Sequence, residues 1–144
     1  MTVSAKHAPA GLFSLLRAAG TIESHVDTQL APLGLSLPKL AALQRLVAAG
    51  NALPLGQLAE RLACVKSNVT QLVDRLEAEG LVERAADPDD RRSRLAVITP
   101  AGRARYEEGI LVQQRAEREL FGTLTDAEAH QFAEVIAKLE RKSR

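Results

Sequence analysis

Between residues 87 and 94 the chain reads Asp87-Pro88-Asp89-Asp90-Arg91-Arg92-Ser93-Arg94. Four turn-forming residues run straight into three arginines within four positions. A segment with helical apolar spacing precedes the run, and a strand-like stretch, Leu95-Ala96-Val97-Ile98-Thr99, follows it. A turn between two short extended stretches is a β-hairpin, so the order predicts a helix followed at once by a hairpin whose tip carries arginines. Few small architectures place a basic hairpin against a helix, and this constraint organises the rest of the chain.

Upstream, Leu12, Leu15, Leu16, Ala19, Ile22, Val26 and Leu30 mark a long amphipathic helix that Pro32 and Gly34 interrupt. Ser36 is the expected N-cap of a second helix bearing Leu40, Leu43, Leu46 and Val47, which Gly50-Asn51 stops. Pro54 restarts the chain. Leu55, Leu58, Ala59 and Leu62 then fall at helical spacing, and after a short gap so do Val69, Leu72, Val73 and Leu76. Gly80 stands where a C′ glycine should. Two short amphipathic helices separated by a few residues make a helix-turn-helix. Leu81-Val82-Glu83-Arg84 is the expected outgoing strand, and residues 95–99 the return strand. Thr99-Pro100 opens a further helix with proline at its first position. Thr125-Asp126-Ala127-Glu128 has the form of a capping box before a last helix striped by Ala129, Phe132, Ala133, Ile136 and Leu139.

The expected fold is therefore mainly α with a small β-hairpin wing: a winged helix-turn-helix with flanking helices at both ends. The expected divisions are 1–34 (N-terminal tail and dimerisation helix), 35–100 (DNA-binding lobe) and 101–144 (C-terminal dimerisation helices). The two terminal helices carry apolar stripes that so small a lobe cannot cover alone, and a second copy of the chain is the natural cover.

Composition limits the alternatives. The 144 residues are 46% apolar but only 3% aromatic, with no tryptophan, so the core must be Leu, Ala and Val. The net charge of +1 gives no bulk signal for nucleic acid, and any DNA-binding surface must come from local placement of charge. One cysteine provides no intrachain disulfide framework and fits a reducing, cytoplasmic setting. No apolar run reaches the length of a membrane span, and Met1 to Pro9 lacks the apolar core of a signal peptide. His7, His25 and His130 are scattered, no Cys/His cluster has metal-ligand spacing, and no nucleophile–base set is visible. Neither an enzyme nor a cofactor is expected.

A helix suits the major groove of double-stranded DNA, and arginines suit the negative potential of a narrow minor groove. With helix-turn-helix and wing in place, the chain resembles the MarR (multiple antibiotic resistance regulator) family over residues 10–140. The resemblance is carried by Leu58-Ala59-Glu60-Arg61-Leu62, by Val69 through Glu77, and by Gly80-Leu81-Val82. It continues in Asp87-Pro88-Asp89-Asp90-Arg91-Arg92, then in Leu95 to Thr99 and Gly102, with Ile98 where leucine is common. It implies a homodimer that controls nearby genes, generally as a repressor. It also implies release from a pseudo-palindromic operator by a small phenolic or lipophilic ligand, and in some members oxidant sensing through cysteine.

On this reading Gln71 and Asn68, with Ser67 and Thr70 beside them, are the expected base-reading residues, because Asn and Gln pair bidentately with adenine. The plain alternative is an ordinary polar helix face. Val65 stands where Ser or Thr often caps the recognition helix, leaving Ser67 or Asn68 to supply the cap oxygen. Lys66 is expected on phosphate. Arg92 is the expected minor-groove residue, with pairing to Asp90 compatible with that role. Arg91 and Arg94 are expected on phosphate or in solvent, while Arg75 either touches phosphate or pairs with Asp74 or Glu79. Cys64 reads as a small buried hydrophobe rather than a sensor, since free cysteine is among the most buried residue types. His25 is a polar helix-face residue, with ligand contact as its weaker reading. The rival functions are a DNA binder with no ligand and a winged helix used for protein contact.

Overall fold

A computed structural model describes residues 11–62 and 68–144. The chain comprises two compact units, Met1–Ile110 and Leu111–Arg144.

In the first unit, α1 (Leu12–Leu30) runs into a single 3-10 turn (Ala31–Leu33) that ends at Gly34 in the left-handed region. Helix α2 (Leu37–Ala48) begins at Ser36, whose hydroxyl accepts the Lys39 N–H, and carries proline in its first turn. It buries Leu40, Ala42, Leu43 and Leu46. Strand β1 (Ala52–Pro54) and helix α3 (Leu55–Arg61) follow. Helix α4 (Val69–Ala78) lies with its Leu72, Val73 and Leu76 face inward. Strands β2 (Val82–Asp87) and β3 (Asp90–Ile98) form the hairpin, and α5 (Pro100–Phe121) leaves it, passing the unit boundary after Ile110.

Two features depart from the sequence expectation. The sheet has three strands in the order β1-β3-β2, all antiparallel, where a two-stranded hairpin was expected. Strand β1 pairs Leu53 with Ala96, and only Leu53 of its three residues is buried. Three residues are too few to show alternation, and Pro54 is admissible because β1 is an edge strand. The strand is set by the backbone before it: Gly50 and Asn51 both take positive φ, and the Asn51 carbonyl accepts the Ile98 N–H at 2.9 Å.

The hairpin is also longer than residues 81–84 and 95–99. Pairing continues through Ala86↔Arg94 to Asp87↔Asp90, with a bulge between Ala86 and Asp87, so only Pro88 and Asp89 turn the corner. The outer half projects as a ribbon with no buried residue from Glu83 to Leu95. A ribbon wet on both faces needs no apolar alternation, which is why its length is hidden in the sequence.

The junction between α4 and α5 is close-packed. Gly80 (φ +75°) ends α4 in a Schellman arrangement, with Leu81 N–H on Leu76 carbonyl at 2.9 Å and Gly80 N–H on Glu77 carbonyl at 3.0 Å. Thr99 Oγ1 donates to the Gly80 carbonyl at 2.6 Å and accepts the Gly102 N–H at 3.0 Å. A Cβ at Gly102 would sit against the Leu81 carbonyl oxygen, so only glycine lets α5 start there. One hydroxyl thus caps α5 and holds the end of α4.

The second unit contains the rest of α5 and α6 (Asp126–Ser143). Helix α6 opens with the full capping box between Thr125 and Glu128. The Phe121 and Phe132 rings meet at a 47° tilt with centroids 5.8 Å apart, yet Leu120, Phe121, Phe132, Val135 and Leu139 all remain at least 40% exposed. In the first unit, Leu12, Phe13, Leu15, Leu16 and Ile22 of α1 are likewise exposed, and only Val26 and Leu30 of that helix are buried. No helix among the described residues is long and apolar enough to cross a membrane.

Candidate nucleic-acid interface

Helix α4 presents two faces. Leu72, Val73 and Leu76 are buried in the lobe, while Thr70, Gln71, Asp74, Arg75 and Ala78 are exposed on the opposite side at i, i+1, i+4, i+5, i+8 spacing. Asn68 is the N-cap: its Oδ1 accepts the Gln71 N–H at 3.2 Å. Of the two capping residues left open by the sequence, Asn68 holds this position. The cap engages the oxygen that a bidentate adenine contact would need, leaving Nδ2 as its free donor. Gln71 is an exposed residue of this face. Lys66, Ser67, Val65 and Cys64 lie outside the described residues.

Beside α4 stands the β2–β3 ribbon. Arg91, Arg92 and Arg94 are all exposed, but they lie on strand β3 rather than in a loose tip loop. The turn is stiffened by its own aspartates: Asp87 Oδ1 accepts the Asp89 N–H and Asp90 Oδ1 accepts the Arg92 N–H, each at 2.9 Å. Asp90 therefore takes the backbone of Arg92 and not its guanidinium, correcting the expected side-chain pair. A short carboxylate two residues back reaches an amide more readily than the end of a long side chain. Arg94 Nε donates to the Ala85 carbonyl at 3.3 Å, laying that side chain along the ribbon.

For Arg75 the sequence left a phosphate contact and an ion pair open. Arg75 pairs with neither Asp74 nor Glu79, because both are taken from outside the helix. Arg84, on β2, places one guanidinium nitrogen 2.7 Å from Asp74 Oδ1 and another 2.7 Å from Glu77 Oε1, and its backbone N–H donates to Glu77 Oε2 at 3.2 Å. The hydrogen bond to Asp74, followed by that to Glu77, raises the Arg84 pKa above its ordinary value against the opposing effect of burial. Lys39, on α2, sits 2.9 Å from both oxygens of Glu79 and 3.2 Å from the Gly34 carbonyl. Asp74, Glu77 and Glu79 are thus all paired with cations from other elements, Asp74 and Glu77 sharing the single Arg84 guanidinium. Among the described residues, Arg75, Arg91, Arg92 and Arg94 make no ion pair. A chain of net charge +1 in this way keeps four arginines on and beside the recognition helix out of ion pairs among the described residues.

Arg84 and Lys39 were not singled out from sequence. The carboxylates at i and i+3 on α4 face one way, but their partners stand across a glycine turn or 40 positions upstream. No local rule joins them. His25 is an exposed residue of α1 whose Nε2 lies 3.4 Å from Gln29 Nε2, in keeping with its plain reading as a helix-face residue. Among the described residues, no group of three or more His, Cys, Asp or Glu side chains is placed to hold a metal.

A helix-turn-helix backed by a three-stranded sheet, with a basic ribbon beside the second helix, defines a winged helix-turn-helix protein. The MarR family model matches residues 35–93, which spans α2 through the wing. The HTH-type transcriptional regulator YsmB of Bacillus subtilis is 32% identical over 105 residues, covering 73% of this chain and 71% of its own. An HTH-type transcriptional repressor of Mycobacterium tuberculosis is 29% identical over 135 residues, covering 94% of this chain and 96% of its own. Among solved structures, BpsR of Bordetella bronchiseptica, described for regulation of its DNA binding by 6-hydroxynicotinic acid, superposes with a TM-score of 0.80. It shares 28% identity over 93% of this chain and 96% of its own. The chain belongs to the MarR family of transcriptional regulators and is not an enzyme.

Proposed function

We propose that this protein is a homodimeric repressor that binds a pseudo-palindromic DNA site and is released by a small aromatic ligand. The observation that carries the DNA reading is the pairing pattern at the interface. The carboxylates of α4 are held by Arg84 of the wing, while Arg75, Arg91, Arg92 and Arg94 stand exposed and without ion pairs among the described residues. Gln71 and Thr70 read base edges in the major groove, with Asn68 adding the free donor of its capping amide. Arg92 enters the minor groove. Arg91, Arg94, Arg75 and Lys66 hold phosphates and position the protein without reading sequence.

The homodimer is supported by the exposed apolar side chains of α1 in one unit and of α5 and α6 in the other. Large apolar groups left this open in a single chain need a partner surface. Two-fold pairing presents two recognition helices, which must sit about one helical turn of DNA apart to engage both half-sites. Ligand release is supported by the likeness to BpsR and works only if the ligand favours a different separation of the helices.

Fluorescence anisotropy with DNA from upstream of the protein's own gene, against a scrambled duplex at two salt concentrations, tests the first part. Preferential binding that survives the higher salt is the expected result. Equal binding to both duplexes, erased by salt, is phosphate attraction alone and would count against an operator at that site. Adding 6-hydroxynicotinic acid and simple phenols to the bound complex tests release.

A further inference from the structure

Arg84 is the only described residue that joins the two elements of the interface through its side chain and its backbone together. It lies on β2, a strand of the wing, and grips Asp74 and Glu77 of the recognition helix with two guanidinium nitrogens at 2.7 Å each. Its main-chain N–H completes the grip on Glu77 at 3.2 Å. The Arg84 side chain is largely covered, at 19% exposure, while that of Asp74 is 59% exposed. A planar fork held by two carboxylates has little freedom of orientation, unlike a single exposed pair.

We infer that Arg84 is a positioning residue for DNA recognition: it locks the wing to the recognition helix so that Arg92 and Gln71 engage one DNA site as a single rigid unit. The inference rests on the DNA reading above and goes beyond it, since Arg84 itself need touch no DNA. Two features point the same way. The ribbon beyond Arg84 has no buried residue up to Leu95, so core packing does not fix its angle to α4. Asp74 also sits between Gln71 and Arg75 on the exposed face of α4, where an unpaired carboxylate would meet phosphate. The same guanidinium that sets the angle offsets part of that charge.

A double-mutant cycle separates positioning from mere folding. The probe is a duplex enriched from a random-sequence pool by the full chain, with a scrambled duplex as reference. In the parent, Arg92→Ala is expected to weaken binding to the enriched duplex roughly tenfold, a difference of about 1.4 kcal/mol. In an Arg84→Met background the same change is expected to cost less than about threefold, because an unlocked wing no longer delivers Arg92 to its groove. The preference for enriched over scrambled DNA should fall in Arg84→Met alone. Equal penalties in the two backgrounds would overturn the inference while leaving the wing reading intact. No penalty in the parent would overturn the wing reading, and this inference with it. If Arg84→Met does not fold by thermal melting, Glu77→Gln, which opens one arm of the grip, takes its place in the cycle and is read the same way.

Discussion

Asn68 caps the recognition helix by accepting the N–H of Gln71 at 3.2 Å, so one of the two amide side chains expected to read bases holds the other's backbone in place. The two residues should consequently fail in different ways. Asn68→Ala removes a helix cap and is expected to cost about 1 kcal/mol of stability along with DNA affinity. Gln71→Ala removes an exposed side chain, leaves stability within about 0.5 kcal/mol, and relaxes base preference at one position by about 1–3 kcal/mol. Urea unfolding beside binding to single-substitution duplexes distinguishes the two patterns. Equal loss of stability in both variants would contradict this division of roles.

The wing arginines divide similarly. Arg92→Ala is expected to lower the preference for A·T-rich flanks, because the narrow minor groove that attracts guanidinium is a property of those sequences. Arg91→Ala is expected to leave sequence preference alone and to flatten the slope of log affinity against log salt by about one unit. Both side chains are exposed and make no ion pair among the described residues, so neither change should move the melting temperature. Salt titrations on A·T-rich and G·C-rich flanked duplexes give both readouts.

At the α4–α5 junction, Thr99→Val loses the bond to the Gly80 carbonyl and the cap on Gly102 together. A cost of about 1–2 kcal/mol is expected, and Thr99→Ser, which keeps the hydroxyl, should recover most of it. Gly102→Ala forces a methyl group against backbone rather than a movable side chain, with an expected cost of about 1–3 kcal/mol. Urea midpoints at unchanged slope would verify these values.

The exposed apolar helices make a separate prediction. Leu16→Glu in α1 or Val135→Glu in α6, at 53% and 52% exposure, should convert the proposed dimer to monomer without unfolding the lobe. Affinity for a two-half-site duplex should drop far more than affinity for a single half-site, since the second contact is no longer intramolecular. Sedimentation velocity reads the first effect and anisotropy the second. A dimer unmoved by either change would place the seam elsewhere.

Much of this molecule was legible in its residues because the relevant physics is local. Apolar spacing located α2, α3 and α4, since a helix buries every third or fourth side chain whatever it packs against. Ser36, Gly80, Thr99 and the Thr125–Glu128 box marked helix ends, because orphan backbone groups must be met by nearby atoms. The turn at Pro88-Asp89 and the arginines beyond it were equally plain.

What tertiary structure alone decided concerns partners distant in sequence. Strand β1 exists because β3 offers an edge to three residues with no pattern of their own. The reach of the ribbon followed from ladder pairing in solvent, where no apolar period is required. The ion pairs were the least legible: Asp74 and Glu79 were the candidate partners of Arg75, yet the fold assigned them to Arg84 and Lys39. A side chain's charge is written in the sequence, but its partner is set by which backbones the folded core brings within a few ångströms. That choice left Arg75 and the wing arginines without ion pairs among the described residues of a chain whose net charge is only +1.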